Sequence, residues 1–113
     1  MKELDMIVRA DKLETIKKIL VDEFQCGGMT VSNVLGCGGQ KGFTEEYVGT
    51  RTHVNLLPKL NIRVVVKDGD ADEIIDKLCD AIATGHYGDG KIFVKDVVDV
   101  VRVRTKERGE GAV

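Results

Sequence analysis

Tryptophan is absent from this chain of 113 residues, and aromatic side chains make up only 4% of it. Binders of single-stranded nucleic acid stack bases on aromatic rings, so the shortage argues against that class. An excess of one charge is lacking too: 17 Lys and Arg stand against 19 Asp and Glu, a net charge of −2. Nothing global draws such a chain to nucleic acid or to an anionic membrane, and any basic site must be local. Cys26, Cys37 and Cys79 make an odd number without CxxC spacing, and His53 and His86 form no ligand pair with a cysteine at zinc spacing. Reduced thiols and no structural metal are therefore expected. The opening MKELDMIVRA holds no apolar stretch long enough for a signal or membrane segment, so a cytoplasmic chain without direct membrane insertion is expected.

What is present is one pattern used twice. With 42% hydrophobic residues the chain reads as a single domain, 1–113, small enough that a shared subunit interface would help to stabilise it. Residues 3–9 suggest a strand, Asp11 is a candidate N-cap, and Leu13, Ile16, Ile19, Leu20 and Phe24 recur at helical spacing until Gly27-Gly28. A β-rich run from Met29 to Leu35 closes the first strand–helix–strand unit. The second repeats the order: Leu60 to Val66 is strongly β-branched, Asp70 or Asp72 can cap a helix, and Ile74, Ile75, Leu78 and Ile82 form its buried stripe. Ile92 to Arg104 then reads as a last long strand. Two such units in so short a chain predict an α+β, ferredoxin-like βαββαβ sandwich with both helices on one sheet face. The other face, expected to present Val64, Val66, Val98 and Val100 or their alternating neighbours, would be an apolar patch that self-association buries.

Two glycine-rich stretches remain. The segment from about Gly36 to Pro58 is too long for an ordinary hairpin, and loops of that length are usually functional or disordered. The turn Gly85-His86-Tyr87-Gly88-Asp89-Gly90-Lys91 is followed by an apolar run ending in Arg102-Val103-Arg104, an anion site in outline: glycines let backbone N–H groups turn toward a phosphate, and a lysine with two same-face arginines supplies charge. Its spacing imitates a Walker A loop, yet Ile92 stands where the magnesium-binding Ser or Thr belongs and the following segment is β-branched rather than helical, which disfavours a P-loop NTPase. Residues 106–113 read as a polar, flexible tail. Taken singly, Gly88 to Lys91 is an ordinary turn and Lys41 and Lys59 are surface charges; their joint order carries the information.

That order resembles the PII nitrogen-regulatory signal-transduction proteins. The run Thr84 to Val94 is similar to their carboxy-terminal signature, and Gly36-Cys37-Gly38-Gly39-Gln40-Lys41-Gly42 to the base of their T-loop, here about 37–56. The resemblance implies a homotrimer of ferredoxin-like subunits that senses effectors rather than catalyses: ATP or ADP in clefts between subunits and, with MgATP, 2-oxoglutarate, which repositions the T-loop on target proteins. Carried over, nucleotide contacts fall on Ile7, Thr30, Gly36, Cys37, Gly38, Gln40, Val65, Gly88, Asp89, Gly90, Lys91, Arg102 and Arg104. The 2-oxoglutarate set is Gly38, Gln40, Lys41, Gly42, Lys59 and Gly88, with Gln40 also holding Mg²⁺ together with ATP and 2-oxoglutarate. An ammonium transporter is the first candidate target and would bring the protein to a membrane indirectly; nucleic acid is not implied. A small phosphate-processing enzyme on the same fold is the alternative that the Walker-like run suggests. Thr52 occupies the position of the uridylylated tyrosine, so no modification is expected there, and Arg63 replaces a common glutamate near the nucleotide cleft.

Overall fold

The computed structural model describes residues 1–37 and 56–113. Its centre is strand β1, Lys2–Val8, in which buried and partly exposed residues alternate: Leu4, Met6 and Val8 are wholly buried, while Glu3, Asp5 and Ile7 face the other way. Strands β2 (Met29–Gly36), β3 (Leu57–Val66) and β4 (Gly90–Asp96) complete a four-stranded sheet in the order β2-β3-β1-β4, with every neighbouring pair antiparallel. Helix α1 (Leu13–Lys17) enters through a 3₁₀ turn, Ala10–Lys12, and widens into a π-helical stretch, Lys18–Glu23. Helix α2 spans Asp68–Ile82. Each helix links two strands that a third separates, which is the split βαβ arrangement of the ferredoxin-like fold.

The core lies between helices and sheet. Ile16, Ile19 and Leu20 from the first helical segment and Ala71, Ile74, Leu78 and Ile82 from α2 close over Leu4, Met6, Val8, Leu60, Ile62, Val64 and Val66. Leu13, Phe24 and Ile75 are partly buried at its margin. Each fully buried aliphatic side chain contributes about 1.5–3 kcal/mol, and the helical period of three or four residues is what brings these onto one side.

Four expectations are corrected. Asp11 does not cap the first helix, because it lies inside the 3₁₀ turn Ala10–Lys12, whose N-cap position is Arg9. Helix α2 begins at Asp68 after Lys67, so Asp70 and Asp72 lie inside it, where Asp70 suits the positive end of the helix dipole instead of capping it. The last strand ends at Asp96 and does not run on to Arg104. Its partner β1 is used up there, since Asp96 pairs with Lys2 and one further bond, Val97 N–H to the Met1 carbonyl, closes the ladder. Beyond it the chain makes an isolated bridge between Val101 and Arg108, so Arg102 and Arg104 stand in a turn and not on one face of a strand. The open sheet face is also not apolar as expected: Val64 and Val66 are core residues, 2% and 3% exposed, and Val98 and Val100 lie outside the sheet.

Candidate functional site

What the open face does carry is a polar strip flanked by two clefts. Asp5 sits near its middle and accepts hydrogen bonds from Lys95 Nζ at 2.8 Å and Asn61 Nδ2 at 2.5 Å. These bonds, Lys95 first and Asn61 second, hold the Asp5 carboxyl below its usual range. Ile7 and Glu3 lie on either side of it on the same strand face, about 13 Å apart at the rise of an extended chain.

The first cleft, about 530 Å³, lies at the Ile7 end between the start of β4 and the close of β2. The turn between α2 and β4 forms one wall. Gly85, Gly88 and Gly90 have φ of 83°, 94° and 108°, a region that side chains with a Cβ enter at a cost. The Asp89 carboxylate then fastens the turn from inside, accepting bonds from Thr84 N–H (2.6 Å), Thr84 Oγ1 (2.5 Å) and Gly85 N–H (3.2 Å). From outside, Arg9 donates through Nη2 to the Tyr87 carbonyl at 2.8 Å and through Nε to the Gly88 carbonyl at 3.1 Å. Lys59 Nζ reaches the same Gly88 oxygen at 3.1 Å. Arg9 and Lys59 thus engage the Gly88 carbonyl together, and Lys91 stands exposed at the head of β4, pairing with Ile7 across the ladder.

The Thr84 side chain, then the amides of Thr84 and Gly85, lower the Asp89 pKa, and Arg9 adds to the effect. A depressed carboxylate stabilises the folded turn above its ordinary pKa and loses that contribution as pH falls through the lower, folded value. The amide resonances of Thr84 and Gly85 should therefore hold their positions down to about pH 4, the ordinary Asp range, and move only below it. A midpoint at or above that range, followed by NMR, would contradict the arrangement.

The second cleft, about 580 Å³, lies at the Glu3 end and is lined by Gly28, Thr30, Arg63, Val65 and Arg102 as well as Glu3. Thr30 faces Arg63 across β2 and β3, and Glu3 faces Val65 across β1 and β3, which is why these residues share one surface. Arg102 is held by Glu107, its Nη1 lying 2.8 Å from Oε1, and by the Gly111 carbonyl at 3.3 Å from Nη2.

The residues singled out from sequence thus fall into groups. Ile7, Gly36, Cys37, Lys59, Gly88, Asp89, Gly90 and Lys91 meet at the first cleft, and Thr30, Val65 and Arg102 at the second. Arg104 lines neither of the two. Gly38, Gln40, Lys41, Gly42 and Thr52, with nearly all of the T-loop, lie outside the described residues. Arg9 was not anticipated: a single arginine after an amphipathic strand gives no signal until the turn it grips is in view. Phe93 on the first cleft and Gly27 on the second are likewise visible only once the sheet is assembled.

The family model described as "Nitrogen regulatory protein P-II" matches residues 1–107. The chain belongs to the P-II family. "Nitrogen regulatory protein P-II" of Synechocystis sp. is 47% identical over 113 residues, covering all of both chains. "Nitrogen regulatory protein P-II 2" of Methanothermobacter thermautotrophicus is 46% identical, covering all of this chain and 97% of its own, and "Nitrogen regulatory protein P-II 1" of Escherichia coli (strain K12) is 43% identical across both full lengths. The chain is accordingly a nitrogen-signalling regulator, from a family of regulators rather than enzymes. The P-II assignment takes in the first cleft and most of the second, since Ile7, Lys91 and Arg102 fall within the matched residues and only Ala112 and Val113 of the linings lie beyond them. Among the described residues no helix is long and apolar enough to cross a membrane.

Proposed function

We propose that the chain is a homotrimeric effector sensor that binds ATP or ADP between copies and, with MgATP, 2-oxoglutarate, and acts on targets through its T-loop. The observation that carries this reading is the division of the cationic residues: Lys91 opens on one cleft and Arg102 on another, with Asp5 and its partners between them. A triphosphate needs several charge-assisted donors, and each cleft alone holds only two cationic side chains, Lys59 and Lys91 in the first and Arg63 and Arg102 in the second. Joining the first cleft of one copy to the second cleft of the next unites them. Repeating such a head-to-tail contact closes a ring, and three copies is the number that the resemblance to the PII proteins implies.

The described residues fit a nucleotide in kind. Both openings are of the size of small-molecule sites, and the glycine turn lets the backbone come close to phosphates on the Lys91 side. Thr30 and Val65 would hold the nucleoside end, while Gly36, Cys37 and Gly88 to Lys91 would receive the phosphates. Arg104 is assigned to the phosphates by family order alone. Mg²⁺ supplies charge neutralisation and a coordination centre for hard oxygen donors, with Gln40 as its protein ligand. Gly38, Lys41 and Gly42 complete the acid site, with Lys59 on the distal carboxylate. Support for the last role comes from the Lys59–Gly88 bond, which already joins two members of that set. An ammonium transporter is the target we favour, with membrane association arising only through it.

Binding of 2-oxoglutarate should require MgATP, because its negative charges become tolerable only on a bridging cation. Isothermal titration with MgATP, MgADP and no nucleotide tests this: heat with MgATP alone is expected, and comparable binding in all three conditions would contradict the metal-bridged mechanism. Linkage makes the effect mutual, so ATP must tighten on 2-oxoglutarate by the same factor, and Gln40→Ala should remove most of that factor while leaving ADP affinity nearly unchanged.

A further inference from the structure

The second cleft is not an open shelf. Ala112 and Val113 form part of its lining, next to Gly27 and Gly28. The packing is close: a Cβ added at Gly27 would lie 3.2 Å from the Val113 carbonyl oxygen. A defined path leads the chain there. Arg102 N–H donates to the Glu107 carbonyl at 2.9 Å, Lys106 N–H to the Arg102 carbonyl at 2.8 Å, and Gly109 N–H to the Val100 carbonyl at 3.0 Å. Arg108 adds an ion pair to Asp99 at 2.9 Å, and a 3₁₀ turn, Gly109–Ala112, brings the last residues back over the cleft. On the Arg102 guanidinium, the Glu107 carboxylate and the Gly111 carbonyl fill positions that phosphate oxygens would otherwise take.

We infer that residues 105–113 are an internal competitor for the second cleft, with Glu107 standing in for phosphate on Arg102 and Ala112–Val113 standing in for part of the nucleoside. This rests on the nucleotide reading above. A phosphate must displace Glu107 before Arg102 can serve it, and the nucleoside must lift the 109–113 turn. Nucleotide occupancy and release of this segment are then one event, so the position of the segment reports the state of the cleft. Nothing in the core opposes the release: the buried core draws no side chain from beyond Ile82, and Arg102 and Glu107 are both partly exposed, at 38% and 49%.

The test uses the full chain carrying Glu107→Gln, which keeps shape and removes charge, beside a chain shortened after Arg108, which retains the Asp99 ion pair and the Val101 bridge. Affinities for ATP, ADP and adenosine are measured by titration calorimetry at low and high salt, with urea unfolding as a check on folding. Glu107→Gln should bind ATP and ADP roughly fivefold more tightly at low salt, the scale of one partly exposed ion pair, and leave adenosine unchanged; the advantage should shrink at high salt. The shortened chain should gain affinity for adenosine as well. Unchanged or weaker ATP binding in both variants, with the parent binding normally, would overturn the competitor and make Glu107 a support for Arg102. Failure of the parent to bind any nucleotide would instead overturn the reading beneath it, and the competitor with it.

Discussion

Replacing Gly90 by alanine should destabilise the fold by about 3 kcal/mol or more and erase the first cleft. Gly90 opens β4 opposite Val8 with φ of 108°. A Cβ there would lie 2.0 Å from the Ile7 carbonyl oxygen and 3.0 Å from its carbon. The obstacle is the Ile7–Val8 backbone, and alanine has no torsion with which to escape it. Either β4 must separate from β1 at this end or the φ must change sign, and each displaces Lys91 from the cleft that it shares with Ile7. Gly69 provides the control. It lies in the first turn of α2 with open space around its missing Cβ, so Gly69→Ala should be neutral or stabilising by up to about 1 kcal/mol. Urea unfolding at one fixed protein concentration measures both, and a parent-like midpoint for Gly90→Ala would show that the β1–β4 junction is not packed as described.

Lys91→Ala should weaken ATP binding by about 2–3 kcal/mol, roughly 30- to 150-fold in Kd, by removing a charge-assisted bond and leaving the phosphates with fewer counter-charges. Stability should hardly change, since Lys91 is exposed at the mouth of its cleft. Arg102→Ala should act in the same direction. Binding as tight as the parent's in both variants, at equal ionic strength, would contradict the phosphate assignment. The two losses differ in how they combine, because Lys91 and Arg102 belong to opposite ends of the sheet in any one copy.

Much of the fold was legible because alternation and helical period report burial directly. Leu4, Met6 and Val8 on one side of β1, and Ile74, Leu78 and Ile82 on one side of α2, are buried as their spacing requires. The end of β4 was not legible. Val97, Val98 and Val100 favour strand locally, but a strand needs a partner, and β1 ends opposite Asp96. The open face was misread for a related reason: Val64 and Val66 are β-branched and apolar, yet a strand's preference for β structure does not say which face the helices will cover. At the site, the glycine turn was readable from composition, whereas the grip of Arg9 on the Tyr87 and Gly88 carbonyls depends on residues nearly 80 positions apart in sequence. The division of the cationic residues between two clefts was equally hidden, since it follows from sheet order and strand direction and not from any local motif.

In the proposed assembly a nucleotide site is built from the Lys91 cleft of one copy and the Arg102 cleft of another. Mixed oligomers separate this arrangement from one within a single chain. Lys91→Ala and Arg102→Ala chains are unfolded together, refolded as mixed oligomers and titrated with ATP, each pure variant being titrated alongside. In a mixed ring, one junction brings the intact Lys91 of an Arg102→Ala copy against the intact Arg102 of a Lys91→Ala copy, so a fraction of sites with parent-like affinity should reappear although neither pure variant has any. If every mixture binds only as weakly as its components, each site draws both residues from one chain and the assembly proposed here is wrong.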